Sequence, residues 1–206
     1  MTIKTAIQDG RFVRYCSGST EHSVVQQYVA DYADTILQSV KTADLLFQTS
    51  NEAAAAWCYR VPEQLPVVDV VESLEDQSES DIGMITERVF NKGRSSCFQA
   101  HGPFIYIHWF GTVPSMQRQG YGGQVMKAIT DIADAENKWT YLEASDQGYH
   151  LYIRHGFEVL EELRVTPDAP VMLVLLRTCR PKTTSQFAKA ARHPHRTSTD
   201  VKRLRR

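Results

Sequence analysis

Apolar residues along this chain recur in two alternating rhythms. Phe12, Val13, Tyr15 and Cys16 make a short apolar run that predicts a strand. Val25, Tyr28, Val29, Tyr32, Ile36 and Val40 then recur at three- and four-residue steps, the spacing of an amphipathic helix. Ser19 or Thr20 can cap that helix, and Glu21 favours its first turn. Residues 45–49 and 53–59 flank Ser50-Asn51-Glu52 and predict a β-hairpin, ended by Pro62 and Pro66. Residues 69–81, rich in Asp, Glu and Ser, predict a surface loop. Residues 85–90 predict a short helix stopped near Gly93, and residues 104–110, apolar on both faces, a central strand. Val125, Met126, Ile129, Ile132 and Ala133 form a helical stripe, and residues 139–144 the next strand. Residues 148–154 predict a short helix with Gly156 as its C-terminal cap, and residues 157–165 and 171–177 a closing strand pair. A chain of 206 residues, 42% hydrophobic and without internal repeats, suits one α/β (α+β) core.

Between the central strand and the helical stripe lies Val113-Pro114-Ser115-Met116-Gln117-Arg118-Gln119-Gly120-Tyr121-Gly122-Gly123-Gln124. A strand turning through glycines into a helix points several backbone N–H groups at one spot, along with the positive end of the helix dipole. That spot suits a phosphate or pyrophosphate. Two phosphate motifs do not fit. A P-loop needs Lys and then Ser or Thr after its last glycine, where Gln124 and Val125 stand. The dinucleotide fingerprint needs G-x-G-x-x-G, and Gly120-Tyr121-Gly122-Gly123 breaks that spacing.

What remains, Q-x-x-G-x-G from Gln117 to Gly122, resembles the acyl-CoA pyrophosphate loop of the general N-acetyltransferase (GNAT) superfamily. Upstream, residues 107–114 resemble that family's bulged fourth strand. Downstream, Leu142-Glu143-Ala144-Ser145 resembles its fifth strand, and Leu151-Tyr152-Ile153-Arg154-His155-Gly156-Phe157 is similar to its L-Y-x-x-x-G-F. Residues 53–62 and 101–113 are also similar to members related to puromycin acetyltransferase. The resemblance implies a central mixed, mostly antiparallel sheet flanked by helices, the acyl-CoA N-acyltransferase fold with a splayed central strand pair. It implies acetyl-CoA as cosubstrate, held by backbone groups of Gln117, Arg118, Gln119, Gly120, Tyr121, Gly122 and Gly123, with the Arg118 charge added.

The resemblance also assigns chemistry. Backbone N–H groups of Phe110, Gly111 and Thr112 would polarise the acetyl carbonyl, and Gly111 suits the bulge that frees such a donor. Tyr152 matches the tyrosine that protonates the leaving thiolate. His108 stands on the strand where related enzymes carry a histidine base, and it equally suits a buried histidine bonded to a backbone carbonyl. Tyr106 occupies the position of a catalytic glutamate in other members. Glu143 is a second carboxylate candidate, read as one half of a structural ion pair. Ser145 replaces the asparagine that many members use on the pantetheine arm, and retains one hydrogen bond for it.

Charge divides the chain. From Arg177 onward there are ten Lys or Arg and one acid, a net of +9; the whole chain is −1, which leaves about −10 on residues 1–176. Residues 1–180 therefore read as a single N-acetyltransferase domain and residues 181–206 as a basic, flexible C-terminal tail. That tail suits an anionic partner or nuclear import. No apolar run approaches membrane-spanning length, Met1 to Gly10 has no secretory h-region, and the four cysteines lack metal or redox spacing. A cytoplasmic or nuclear location, no membrane partner and no metal are expected. The leading reading is an acetyl-CoA-dependent N-acetyltransferase acting on a small-molecule primary amine. A protein or histone lysine or N-terminal acetyltransferase shares its chemistry, and an acyl-CoA sensor without turnover shares its fold.

Overall fold

The computed structural model describes residues 11–63, 65, 82–180 and 201–203. The expected acidic loop at 69–81 and most of the basic tail lie outside these. The chain runs α1 (Arg11–Ser17), α2 (His22–Val40), β1 (Leu45–Thr49), β2 (Ala54–Val61), α3 (Ile82–His101) and β3 (Phe104–Thr112). It continues with α4 (Tyr121–Glu136), β4 (Trp139–Ala144), α5 (Tyr149–Arg154), β5 (Glu158–Leu163), β6 (Met172–Arg177) and β7 (Val201–Arg203).

The strands form one sheet in the order β5-β6-β4-β3-β2-β1-β7. Every neighbouring pair is antiparallel except β3 and β4. That parallel pair holds only over Phe104↔Trp139, Ile105↔Thr140 and Tyr106↔Tyr141. Beyond it β3 runs on to Thr112 and β4 to Ala144 without pairing to each other, so the two strands part in the middle of the sheet. A strand edge freed in this way leaves alternate backbone groups of β3 available to a ligand.

Each face of the sheet carries its own apolar cluster. One is built on α4, whose Val125, Met126, Ile129 and Ala133 pack on Leu45, Ile105, Ile107 and Leu142. The other joins α2 and α3, through Ala33 and Cys97, to Trp57, Phe104, Tyr106, Tyr141 and Val174. A buried ion pair ties α4 to β6: Arg177 donates two hydrogen bonds to Asp134 at 2.8 and 2.9 Å, and its Nε donates to His155 O at 3.0 Å.

Three expectations are corrected. Residues 12–16 form a helix, α1, rather than a strand; Tyr15 contacts Thr166 by a hydroxyl–hydroxyl hydrogen bond, so tertiary contact outweighs β propensity. The helix expected at 85–90 runs for 20 residues and passes through Gly93. A Cβ there would lie 2.7 Å from Tyr141 Oη, so this glycine admits the tyrosine of β4 instead of ending the helix. The bulge lies at His108 and not at Gly111. Trp57 pairs with Trp109 and Cys58 with Ile107, leaving His108 as the extra residue, while Gly111 pairs regularly with Ala55. In addition, residues 201–203 of the expected tail add a short strand to the β1 edge.

Candidate functional site

A cleft of about 1130 Å³ opens where β3 and β4 part. One side is the strand-to-helix turn. Pro114–Met116 form a 3₁₀ turn, and Gln117 N donates to Pro114 O at 3.2 Å. Arg118 and Gly120 then take positive φ, +59° and +89°, which turns the chain sharply into α4. Gly120 has no Cβ to oppose that conformation. Gln124 N donates to Gly120 O at 3.1 Å and closes the first helical turn, so the amides just before it have no acceptor within the helix. Gly122 packs tightly, since a Cβ would lie 3.1 Å from Thr112 Oγ1 and 3.6 Å from both Leu151 and Phe110. The turn is therefore a backbone donor cradle whose glycines bring α4 against the end of β3.

Most residues expected to hold the cosubstrate meet in this cleft. Phe110, Gly111, Thr112, Gln117, Arg118, Gly120, Gly122, Gly123 and Ser145 all line it. Gln117 also donates its side-chain amide to Thr112 O at 3.4 Å, bracing the turn against the strand. Two lie off its wall. Gln119 folds back to donate to Ser115 O at 3.1 Å, and Tyr121 packs on the apolar cluster beneath α4.

Tyr152 lines the cleft at the far end of the parting strands. It sits on α5, whose end is fixed by Gly156 at φ +84° and by Phe157 N donating to Tyr152 O at 3.2 Å. Phe110 and Phe157 pack edge-on to its ring, at 6.3 and 5.9 Å between centroids. Burial pushes its phenol above the usual tyrosine range, so the hydroxyl keeps its proton at neutral pH and is a donor.

His108 does not reach the cleft wall. The bulge places it among Tyr59, Tyr106 and Trp57, with ring centroids at 5.4, 5.7 and 6.4 Å. Burial, reinforced by Arg94, lowers its pKa to about 4, leaving a neutral imidazole that is a weak base. The same bulge turns Trp109 to line the cleft, stacked on Trp57 at 4.5 Å.

Among the described residues Glu143 makes no ion pair, where one was expected. The Arg94 guanidinium lies over the Tyr106 ring, 4.8 Å from its centroid, and bonds Glu87 and Asn91 of its own helix. Burial raises the Glu143 carboxyl to about 7 against the pull of Arg94. The Tyr106 and Tyr141 hydroxyls face it, yet Glu143 Oε1 and Tyr141 Oη lack a partner in hydrogen-bond geometry.

Sequence reading missed the opposite wall of the cleft. Phe12 and Val13 of α1, Tyr32 of α2, Trp109, and the loop at residues 168–171 close it. The periodicity of α2 marked Tyr32 as apolar, but nothing local indicated that α1 would fold across the sheet. Among the described residues no group of three or more His, Cys, Asp or Glu can hold a metal ion, and no helix is long and apolar enough to cross a membrane.

A family sequence model described as an acetyltransferase (GNAT) domain matches residues 74–159, from before α3 to the start of β5. Among solved structures, arylalkylamine N-acetyltransferase 2 from Aedes aegypti superposes with a TM-score of 0.56 over 86% of this chain and 91% of that one, at 8% identity. A "histone acetyltransferase HPA2 and related acetyltransferase" from Corynebacterium glutamicum gives 0.43 over 88% and 84%, at 16% identity. Nourseothricin acetyltransferase gives 0.33 at 19% identity, over 37% of this chain and half of that one. At such identities the likeness is one of fold. No curated protein sequence matches.

Proposed function

We propose that this chain, whose residues 74–159 match an acetyltransferase (GNAT) domain model, moves the acetyl group of acetyl-CoA to a primary amine of a small molecule, by direct transfer in a ternary complex. The carrying observation is the continuity of the cleft. One cavity joins the donor cradle at Gly120–Gly123, the freed end of β3, the Tyr152 ring and a second wall on α1 and α2. Pyrophosphate at the cradle would lay the pantetheine arm between β3 and β4. Ser145 offers that arm one hydrogen bond. The thioester then meets the amine where the cleft reaches the second wall, and holding both reactants there supplies much of the rate.

In this reading the unpaired backbone groups of β3 around Phe110 to Thr112 polarise the acetyl carbonyl. The neutral amine attacks the carbonyl carbon. The tetrahedral intermediate collapses with loss of the thiolate, the Tyr152 hydroxyl gives that thiolate its proton, and the surplus proton on the acylated nitrogen passes through water back to the Tyr152 oxygen, leaving neutral amide and CoA thiol. His108 is off the cleft wall and weakly basic, so water in the open cleft takes the proton from the acceptor ammonium. The test is thiol release from acetyl-CoA with a panel of amines, alongside calorimetry with CoA. Turnover in the wild type, lost in Tyr152→Phe with CoA binding retained, supports the proposal. CoA binding with no turnover of any amine refutes it and points to a sensor.

A further inference from the structure

We infer that the acceptor is a primary amine carrying a flat or bulky apolar body, and that Trp109 sets this specificity. The inference rests on the proposed acetyl transfer and concerns only the second half of the same cleft. Three observations carry it.

First, the wall away from the glycine turn is aromatic. Trp109 stands on β3, and Phe12 and Tyr32 come from α1 and α2. Tyr32 is 41% exposed, leaving aromatic surface for an occupant to cover.

Second, the wall is held in place. Trp109 cannot turn freely, because its ring is stacked on Trp57 with 14° between planes, and Trp57 is 2% exposed. Tyr15 of α1 contacts Thr166 through their hydroxyls, and Arg164 donates to Ala169 O, so α1 and the loop across from it are tied together. A fixed aromatic wall binds a rigid partner at low entropic cost.

Third, among the described residues the charges lining this end balance. Arg11 and Arg164 face Glu162 and Asp168 around the cleft, and Thr166 holds the Asp168 carboxylate. A polyamine needs uncompensated carboxylates along its length, and a lysine-rich peptide needs an acidic approach. A single amine on an apolar body needs neither. Burying an aromatic group on this wall is worth about 10- to 100-fold in kcat/KM over a short alkylamine.

The test uses the full chain with acetyl-CoA and compares 2-phenylethylamine and tryptamine with n-propylamine, spermidine and a lysine-rich peptide. The arylalkylamines should exceed n-propylamine and spermidine by about 10-fold or more in kcat/KM. Trp109→Ala should erase that margin while leaving n-propylamine within about 3-fold, and Trp109→Phe should keep most of it. Should Trp109→Ala fail to fold, Phe12→Ala and Tyr32→Ala, on the same wall but from α1 and α2, should shrink the same margin. Preference for spermidine, the peptide or n-propylamine overturns the inference alone, as does an equal loss on every amine in Trp109→Ala. No turnover of any amine overturns both it and the transfer reaction beneath it.

Discussion

Replacing Gly148 with alanine isolates the position of the Tyr152 hydroxyl from the fold around it. Gly148 precedes α5 with φ −83° and ψ −15°, a right-handed conformation that alanine adopts freely. The perturbation is therefore one of space. A Cβ at Gly148 would lie 2.3 Å from Tyr152 Cε2, 3.0 Å from Cζ and 3.1 Å from Oη. Carbon atoms pack at about 3.5–4.0 Å, so the ring must withdraw by about 1 Å. It has little room to do so, being 7% exposed and flanked by Phe110 and Phe157. Overpacking of this kind costs about 1–3 kcal/mol, and in a chain of this length lowers Tm by roughly 2–12 °C. A shift of about 1 Å in a group that must meet a leaving thiolate costs about 100-fold in rate. Steady-state thiol release should therefore show kcat down about 100-fold with KM for acetyl-CoA within about 3-fold, because the glycine turn is untouched. Gly148→Ala combined with Tyr152→Phe should lose no more than Tyr152→Phe alone. A variant with the expected drop in Tm but near wild-type kcat would refute the assignment of Tyr152 as proton donor.

Other residues offer independent checks. Asp134→Asn leaves Arg177, 5% exposed, without its counter-charge and should cost about 3–5 kcal/mol in urea unfolding; a loss under about 1 kcal/mol would show that the pair contributes little. Glu143, raised to about 7, holds its proton more tightly folded than unfolded, so its contribution to stability is full below about 4.5 and fades as pH rises toward 7. His108, lowered to about 4, works in the opposite sense: its contribution is full above 6.5 and is lost as pH falls toward 4. The two oppose each other in the wild type, so in Glu143→Gln melting temperature should climb from pH 4.5 to 6.5 more steeply than in the wild type, and an unchanged profile would contradict the shift. Gly120→Ala forces alanine to φ +89° at a strain of about 1–2 kcal/mol and should weaken CoA binding in calorimetry by up to about 10-fold; unaltered binding would mean the turn does not hold the pyrophosphate.

The candidate site was legible where its chemistry lies in consecutive residues. Residues 113–124 announce a strand, a glycine turn and a helix because donor count and φ freedom are properties of the local chain. Tyr152 was singled out differently, by the resemblance of residues 151–157 to the family's L-Y-x-x-x-G-F. Gly93 misled because glycine in a sequence marks equally a helix end or a close approach, and only the position of Tyr141 decides between them. Gly111 misled for a related reason: a bulge depends on the register with β2, and the extra residue proved to be His108. That one step carries His108 off the cleft and Trp109 onto it, since side-chain direction follows a period of two.

By itself, the sequence determined most of the order of the elements and the glycine turn, because each depends on periodicity and backbone freedom within a dozen residues, whereas Tyr152 was offered only by the resemblance of residues 151–157 to a family motif. Tertiary structure alone decided what faces what. It parted β3 from β4, folded α1 over the cleft, and buried Glu143 beside Arg94 without a salt bridge between them. Those outcomes depend on strand register and on which residues distant in the chain compete for one volume, and no local pattern encodes that competition.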